Sequence, residues 1–381
     1  MIYNFDGAII APNYSKSMLH RCLFASMLNR GKTTINNISW SEDILATLNV
    51  LKACGCIVST SDNQIEVDSS NLTSPTNIID LNQCGTTMRF CIPILSFLFK
   101  EFKFSGKSSL LNRPLDSYND FVKIDYQDNI ISVSGWQDKS TYRIDGSISS
   151  QFISGILFIL PLRDEDTTLI IDNISSKNYI LMTISILNFF GIDIDIDFNG
   201  NTITVKGNQF YKQDLIYNNE YDESSLGYLR ALRFSGVDIN FLENQNTYQP
   251  DHCLVDIINN QPNMIDAIDC PDLVPTLVFV TQFFEHPTTI VNVDRLRYKE
   301  CDRLDAILEF ANQINLDLKY QDNKIIINPN RDWQPATIDV RDDHRICLMV
   351  ILFKNKVDLV INDLSVINKS YPEMYKFLTD E

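Results

Sequence analysis

The stretch from Arg297 to Arg303 reads Arg-Tyr-Lys-Glu-Cys-Asp-Arg and crowds cations and carboxylates into one short segment. It runs directly into Leu304-Asp305-Ala306-Ile307-Leu308, a helix-like run. A helix beginning here sets Lys299, Asp302 and Arg303 three and four residues apart on one face. Backbone N–H groups and the positive end of the helix dipole lie at the same place. The chemistry predicted is the capture of an anion, with Glu300 as a carboxylate among the cations. A solvated helix start has the same look when it stands alone.

It does not stand alone. Ser15-Lys16-Ser17 opens a helix with Arg21 on the face of Ser17, and a serine-capped start carrying lysine and arginine is a ready anion site. In Gln83-Cys84-Gly85-Thr86-Thr87-Met88-Arg89 the glycine lets a ligand approach the backbone, with Arg89 one turn on. Arg113-Pro114 holds a single arginine at a rigid turn. Asp145-Gly146-Ser147-Ile148-Ser149-Ser150-Gln151-Phe152 offers hydroxyls and an amide to a polyol or phosphate. Asp342-Asp343-His344-Arg345 opens a helix over 346–353, and Lys369 precedes Tyr371-Pro372. No Walker loop or dinucleotide fingerprint is present. Basic helix starts on repeated units converge only if the units point their amino ends the same way. Two domains facing each other would then enclose a cleft with several phosphate or carboxylate sites.

The whole chain sharpens this. Its 381 residues carry a net charge of −17, which argues against nucleic acid or an anionic membrane as partner. Cations gathered against such a balance imply a local anionic target. Nine cysteines without regular spacing argue against a disulfide framework. Cys54-Gly55-Cys56 is too close for a zinc pair, and the four histidines have no metal-ligand spacing, so no metal or cofactor is expected. The amino-terminal residues lack a signal-peptide pattern and no long apolar run occurs, which places the chain in a reducing, cytoplasmic compartment.

The elements that position these residues recur. An amphipathic helix-like run, then period-two alternation on both sides of a polar turn, occurs over Ile44–Val67, Leu115–Val133, Leu181–Val205 and Leu304–Ile327. The hairpin starts near Ile57, Ile124, Ile192 and Leu316 are separated by about 67, 68 and 124 residues, the last near two periods. About six units follow, three per domain. The missing one belongs near Gln249–Ile265, with 252–258 as its helix and a shortened or irregular hairpin. Further strands are expected at Thr168–Ile171 and Thr288–Val291. The class is α/β, and the acidic stretch Asn218–Ser225 is the best domain crossing.

In order and spacing the motifs resemble the family of 5-enolpyruvylshikimate-3-phosphate synthases. The resemblance runs from Ser15 to Pro372 and includes Ser-Lys-Ser-x-x-x-Arg, Gly-Thr-x-x-Arg, Asn-Arg-Pro, Asp-Gly-Ser-x-Ser-Ser-Gln-Phe, Pro-Asp, Arg-x-Lys-Glu-x-Asp-Arg and Asp-His-Arg. It implies a two-domain inside-out α/β barrel with about three β-α-β-α-β-β units per domain. One domain would comprise 1–12 plus 221–381, the other 13–220, with the active site in the cleft between them and a monomer as the working state. The resemblance assigns Ser17, Arg21, Ser149, Ser150, Gln151, Ser176, Tyr179 and Lys299 to shikimate 3-phosphate. It assigns Lys16, Arg113, Arg303, Arg345 and Lys369 to a phosphoenolpyruvate clamp, with Gly85 giving backbone access and Gln151 touching both substrates. Asp272 matches the family's proton-accepting aspartate and Glu300 its partner carboxylate. The implied reaction adds the 5-hydroxyl to C2 of phosphoenolpyruvate while C3 gains a proton; phosphate and a C3 proton then leave. Asp272 is the base for the hydroxyl, and Glu300 and Lys16 share the candidacy for C3.

The chain departs from the family pattern at Tyr14, where glycine is usual, at Gln83 for asparagine, at Asn178 for a frequent proline, and at Arg295. The related UDP-N-acetylglucosamine enolpyruvyl transferases are the nearest alternative. Their first motif reads Lys-Asn, and they carry a reactive loop cysteine. A non-catalytic anion-binding protein of the same fold is the other alternative; it would need the cations without the paired carboxylates.

Overall fold

The computed structural model describes residues 3–379. The chain divides into two compact units, a contiguous one over Tyr14–Glu220 and a two-segment one of Met1–Asn13 with Tyr221–Glu381.

The contiguous unit repeats one sheet three times. In each four-stranded sheet a parallel pair of strands is extended by an antiparallel hairpin. The second sheet shows the rule: Ile79–Asp80 pairs parallel with Glu101–Ser105, which pairs antiparallel with Ile130–Ser134 of the hairpin Lys123–Gln127/Ile130–Ser134. The third uses Thr141–Asp145, Thr167–Asp172 and the hairpin Ile194–Asp197/Thr202–Val205. The first takes its outer strand from the far end of the unit, Leu215–Asn218, laid parallel to Lys32–Asn36 and followed by the hairpin Ile57–Thr60/Gln64–Asp68. Asp128 and Asn201 take positive φ at two of the turns, a conformation that aspartate and asparagine tolerate.

Three helices fill the interior: Lys16–Leu28, Gly85–Leu98 and Gln151–Leu157. They are apolar on nearly all sides and buried on nearly all sides, as a central helix must be. The strands show the alternation of half-buried sheet, as in Gln64–Asp68, where Ile65 and Val67 turn inward.

Among the described residues the two-segment unit keeps the parallel pairs but has one four-stranded sheet. It joins Met264–Asp266 and Thr288–Val291 to the hairpin Asp317–Gln321/Lys324–Asn328. Asp322 and Asn323 both have positive φ there, the requirement of a type I′ turn. Among the described residues the other two pairs, Ala8–Ile9 with Ile239–Asn240 and Ala336–Ile338 with Leu359–Ile361, carry no hairpin. The irregular repeat near Gln249–Ile265 is accounted for: the helix Leu254–Asn260 reaches Met264–Asp266 through Gln261, Pro262 and Asn263 alone, too few residues for two strands.

One device recurs at the carboxyl ends of the parallel strands. Asp80, Asp145, Asp266 and Asp339 each follow an isoleucine, and each accepts a hydrogen bond from the backbone N–H two residues on, at 2.8, 3.0, 2.9 and 2.9 Å. These Asx turns bend the chain sharply off the strand, and in two repeats the next helix is the buried Gly85–Leu98 or Gln151–Leu157. Loops at the carboxyl ends of strands, leading to helix amino ends, are where ligands bind in open α/β sheets. Among the described residues no helix is long and apolar enough to cross a membrane.

Two expectations are corrected. The helix before the second hairpin is only the 3-10 turn Asp116–Tyr118, because Tyr118 is fully buried and donates to the carbonyl of Arg89 at 2.6 Å. The segment Arg297–Arg303 is not one helix start. A 3-10 turn over Asp294–Tyr298 ends first, and the helix Arg303–Ile314 begins only after Asp302, whose carboxylate caps the N–H of Asp305 at 2.9 Å. Lys299 and Glu300 therefore sit in the link before the helix.

Candidate functional site

In the contiguous unit the amino ends of the three buried helices are tied together. Ser15 caps the first, accepting from the N–H of Met18 at 3.3 Å. Lys16, the first helical residue, pairs with Asp43 at 2.7 Å. At the second helix a Cβ on Gly85 would collide with the guanidinium of Arg113, so glycine is what lets Arg113 lie against the backbone. Gln151 opens the third helix and bonds back to the second. Its amide nitrogen donates to Thr86 at 2.8 Å and its oxygen accepts from Arg89 at 2.7 Å. The first and second helices meet through His20, Thr47, Thr87 and Cys84. His20 is fully buried, and burial pulls its imidazole down to about 3 despite the nearby Asp43.

Arg21 faces inward. It donates to the backbone of Ser17 and Tyr179 at 2.8 and 3.0 Å and to Thr183 at 2.8 Å, joining the first helix to Lys177–Phe189. Burial lowers its guanidinium to about 10. Ser176 immediately precedes that second helix with φ of 54°, strained for a serine, and Tyr179 follows one turn later. Ser149 accepts from the N–H of Gln151 at 3.3 Å, while Ser150 is buried.

The two-segment unit carries the carboxylates. Arg303, 1% exposed, sends one branch of its guanidinium to each of three acids: Asp343 at 2.7 Å, Asp272 at 2.8 Å, and Glu300. Asp272 also pairs with Lys299 at 3.0 Å and with Arg345 at 3.5 Å. Burial alone would raise the Asp272 carboxyl, but Arg345, Lys299 and Arg303 outweigh it and hold it well below the usual carboxylate range. Burial pulls the Lys299 ammonium down, with Asp272 restoring only part of the loss. Asp343 is the cap of the helix His344–Lys354, accepting from the N–H groups of Arg345 and Ile346 at 2.8 and 3.3 Å. Lys369 holds Asp342 at 2.8 Å.

The sequence model of the EPSP synthase (3-phosphoshikimate 1-carboxyvinyltransferase) family matches residues 4–232 and 236–378. The chain belongs to the EPSP synthase family. Among its relatives, a 3-phosphoshikimate 1-carboxyvinyltransferase from Clostridium perfringens (strain SM101 / Type A) is 32% identical, with 97% of this chain and 94% of that protein aligned. Another, from Clostridioides difficile (strain 630), is 32% identical over 95% of this chain and 92% of its own length. In fold the chain resembles an EPSP synthase from Acinetobacter baumannii, with TM-score 0.80, 18% identity, and 98% of this chain and 95% of that one covered. It also resembles the enolpyruvyl transferase NikO from Streptomyces tendae, with TM-score 0.75, 13% identity, and 100% and 96% covered.

Set beside the family reading, the structure brings Lys16, Gly85, Arg113 and Gln151 to the linked helix starts of one unit. It brings Asp272, Lys299, Glu300, Arg303 and Arg345 to one ion-pair network in the other. Lys369 pairs with Asp342 rather than with a member of that network. Sequence reasoning passed over Asp43, Asp251 and Ser224, and read Asp343 only as part of a helix start. Only Asp343 had a local signal, its place as a helix cap. Ser224 donates to Asp251 at 2.5 Å and accepts from Arg345 at 3.2 Å.

Asp251 is 2% exposed, and burial lifts its carboxyl to about 6 even though Arg345 opposes the rise. A folded value above the ordinary one of roughly 4 contributes stability present below that pH and lost as pH rises through about 6. Asp251→Asn is therefore expected to flatten the fall in thermal midpoint between roughly pH 4 and 7. Parallel midpoint-against-pH curves for the two proteins would show that Asp251 is not the titrating group.

Proposed function

We propose that this chain transfers the enolpyruvyl group of phosphoenolpyruvate to the 5-hydroxyl of shikimate 3-phosphate, releasing phosphate. The observation that carries the reading is the pairing of Asp272 and Glu300 on the single guanidinium of Arg303, with Lys299 and Arg345 beside Asp272. An anion-binding protein needs cations. It does not need two carboxylates held on the same arginine, whereas a reaction that moves one proton off a hydroxyl and another onto carbon needs an acid and a base.

In this reading Asp272 takes the hydroxyl proton as oxygen attacks C2, and Glu300 or Lys16 delivers a proton to C3. The tetrahedral adduct then expels phosphate, and the C3 proton returns to the group that gave it. Lys16, Arg113, Arg303, Arg345 and Lys369 neutralise phosphoenolpyruvate, with Gly85 opening the backbone to it. Ser17, Arg21, Ser149, Ser150, Gln151, Ser176, Tyr179 and Lys299 hold shikimate 3-phosphate. Planar guanidinium groups suit both phosphate and carboxylate. The protein acts as a monomer in the cytoplasm.

The test is release of inorganic phosphate by the purified chain. Release is expected with both substrates together and not with either alone. Folded protein that releases none would remove the assignment. Release with UDP-N-acetylglucosamine in place of shikimate 3-phosphate would move it to the neighbouring class of enolpyruvyl transferase.

A further inference from the structure

We propose that His20, Asp43 and Cys84 form a binding site for a zinc-like divalent cation, and that its occupation disables Lys16. Their candidate ligand atoms all lie within 4.8 Å of one another, and His20 Nε2 is 4.0 Å from Cys84 Sγ. A tetrahedral zinc ion, with Zn–N near 2.0 Å and Zn–S near 2.3 Å, sets nitrogen and sulfur about 3.5 Å apart. A closure of roughly half an ångström brings that pair into range, and the Asp43 carboxylate, within 4.8 Å, closes by up to about 1.3 Å. Imidazole, thiolate and carboxylate are a donor set suited to this class of ion, with the fourth position left to water.

The hydrogen-bond chain around the histidine fixes which nitrogen is available. Thr87 donates its hydroxyl proton to Cys84 Sγ at 3.0 Å. The 2.6 Å contact between Thr47 and Thr87 then uses the proton of Thr47, whose other acceptor, the carbonyl of Asp43, is farther away at 3.4 Å. Thr47 therefore accepts from His20 Nδ1–H at 2.8 Å. That leaves the lone pair on Nε2, the atom facing Cys84, and an outer hydrogen bond on Nδ1 is how a ligating histidine is usually oriented. Neither threonine nor histidine has to turn over for the ion to bind. The Cys84 thiol releases its proton to solvent, and sulfur gives its electron pair to the cation.

His20 and Cys84 are buried, so entry is from Asp43, whose side chain is 27% exposed. Asp43 is held by the Lys16 ammonium at 2.7 Å. An ion that takes the Asp43 carboxylate removes the acid that positions Lys16 and, once the Cys84 proton has left, adds one net positive charge that pushes the ammonium out of place. The ion is thus an inhibitor. This inhibitory consequence rests on the anion-binding role proposed for Lys16; the existence of the site does not.

The test has two arms. Chelator-stripped full-length chain is titrated with Co2+ and read by absorbance. One equivalent is expected to give thiolate-to-cobalt charge transfer together with the visible bands of a tetrahedral ion. Cys84 caps the helix Gly85–Leu98, its sulfur accepting from the N–H of Thr87 at 3.4 Å, and Cys84→Ser keeps an acceptor there. It is expected to lose the charge-transfer band and bind at least ~10-fold more weakly. Cys253→Ser, at a cysteine of the other unit, is expected to change nothing. His20→Gln serves as the second variant if circular dichroism shows Cys84→Ser misfolded. No charge-transfer band in the native chain, or an undiminished one in the folded variant, overturns the site. In the second arm Zn2+ is expected to inhibit phosphate release at ~10-fold lower concentration in the native chain than in Cys84→Ser. Equal sensitivity overturns the link to Lys16. A chain with no turnover leaves the cobalt arm to decide the site.

Discussion

Arg303→Leu is expected to destabilise the two-segment unit by about 3–5 kcal/mol, the range for removing one partner from a buried ion pair. The side chain is 1% exposed and its three branches reach Asp343, Asp272 and Glu300. Leucine nearly fills the apolar part of the space but leaves the acids without their shared cation. The loss is uneven. Asp272 keeps Lys299 and Arg345, and Glu300 is exposed enough to be hydrated. Asp343 has 0% exposure and keeps the backbone N–H groups that it caps, so most of the penalty falls on its second oxygen. Urea unfolding of native and variant chains, with the slope unchanged, measures the difference. Arg303→Lys should fall between them, since an ammonium restores charge but not the planar three-way fork. A leucine variant within ~1 kcal/mol of the native protein would mean the network is stabilising nothing, as well-packed apolar replacements of buried ion pairs sometimes show.

What could be read in advance follows the range of the forces involved. The hairpins after Ile57, Ile124, Ile192 and Leu316 were legible because alternation and turn chemistry are local. The buried helices were legible by the cap Ser15 and by the polar run before Gln151, where Ser150 makes no side-chain cap bond, rather than by amphipathic pattern. A helix surrounded by core has no polar face to reveal its period. The Ile-Asp pairs ending four parallel strands were in plain sight, and a search for Asx turns at the repeat spacing would have found them. The place of Lys299 is not legible locally, because charge density suggests a helix start whereas the capping power of Asp302 sets the start beyond it. The partners that set the electrostatics lie far off in the chain. Asp43 is 27 residues from Lys16, and Arg345 is 73 from Asp272. No local pattern announces such pairings. The motifs name the cations, and only the fold says which acids hold them.

Asp272→Asn is expected to lower turnover by roughly 10²–10⁴-fold, the usual worth of a positioned general base, while leaving shikimate 3-phosphate bound. Asparagine matches aspartate in size but cannot accept the hydroxyl proton. Three cations now converge on Asp272, and they hold its carboxyl ionised and weakly basic. For it to work as a base, part of that positive charge must be drawn to the substrates' own phosphate and carboxylate groups. The resting network is then a set of cations occupied by internal acids until an external anion takes over. The same depressed carboxyl makes a second, independent prediction. Its contribution to stability is present above roughly pH 4 and lost as pH falls through the lower folded value. The asparagine variant should lack that part of the acid-induced loss. Single-turnover kinetics with calorimetric binding separate the cases. Intact binding with lost chemistry supports the base. Lost binding with preserved single-turnover rate at saturation would make Asp272 a support for its three cations. Full turnover would pass the proton to Glu300, which shares the same arginine.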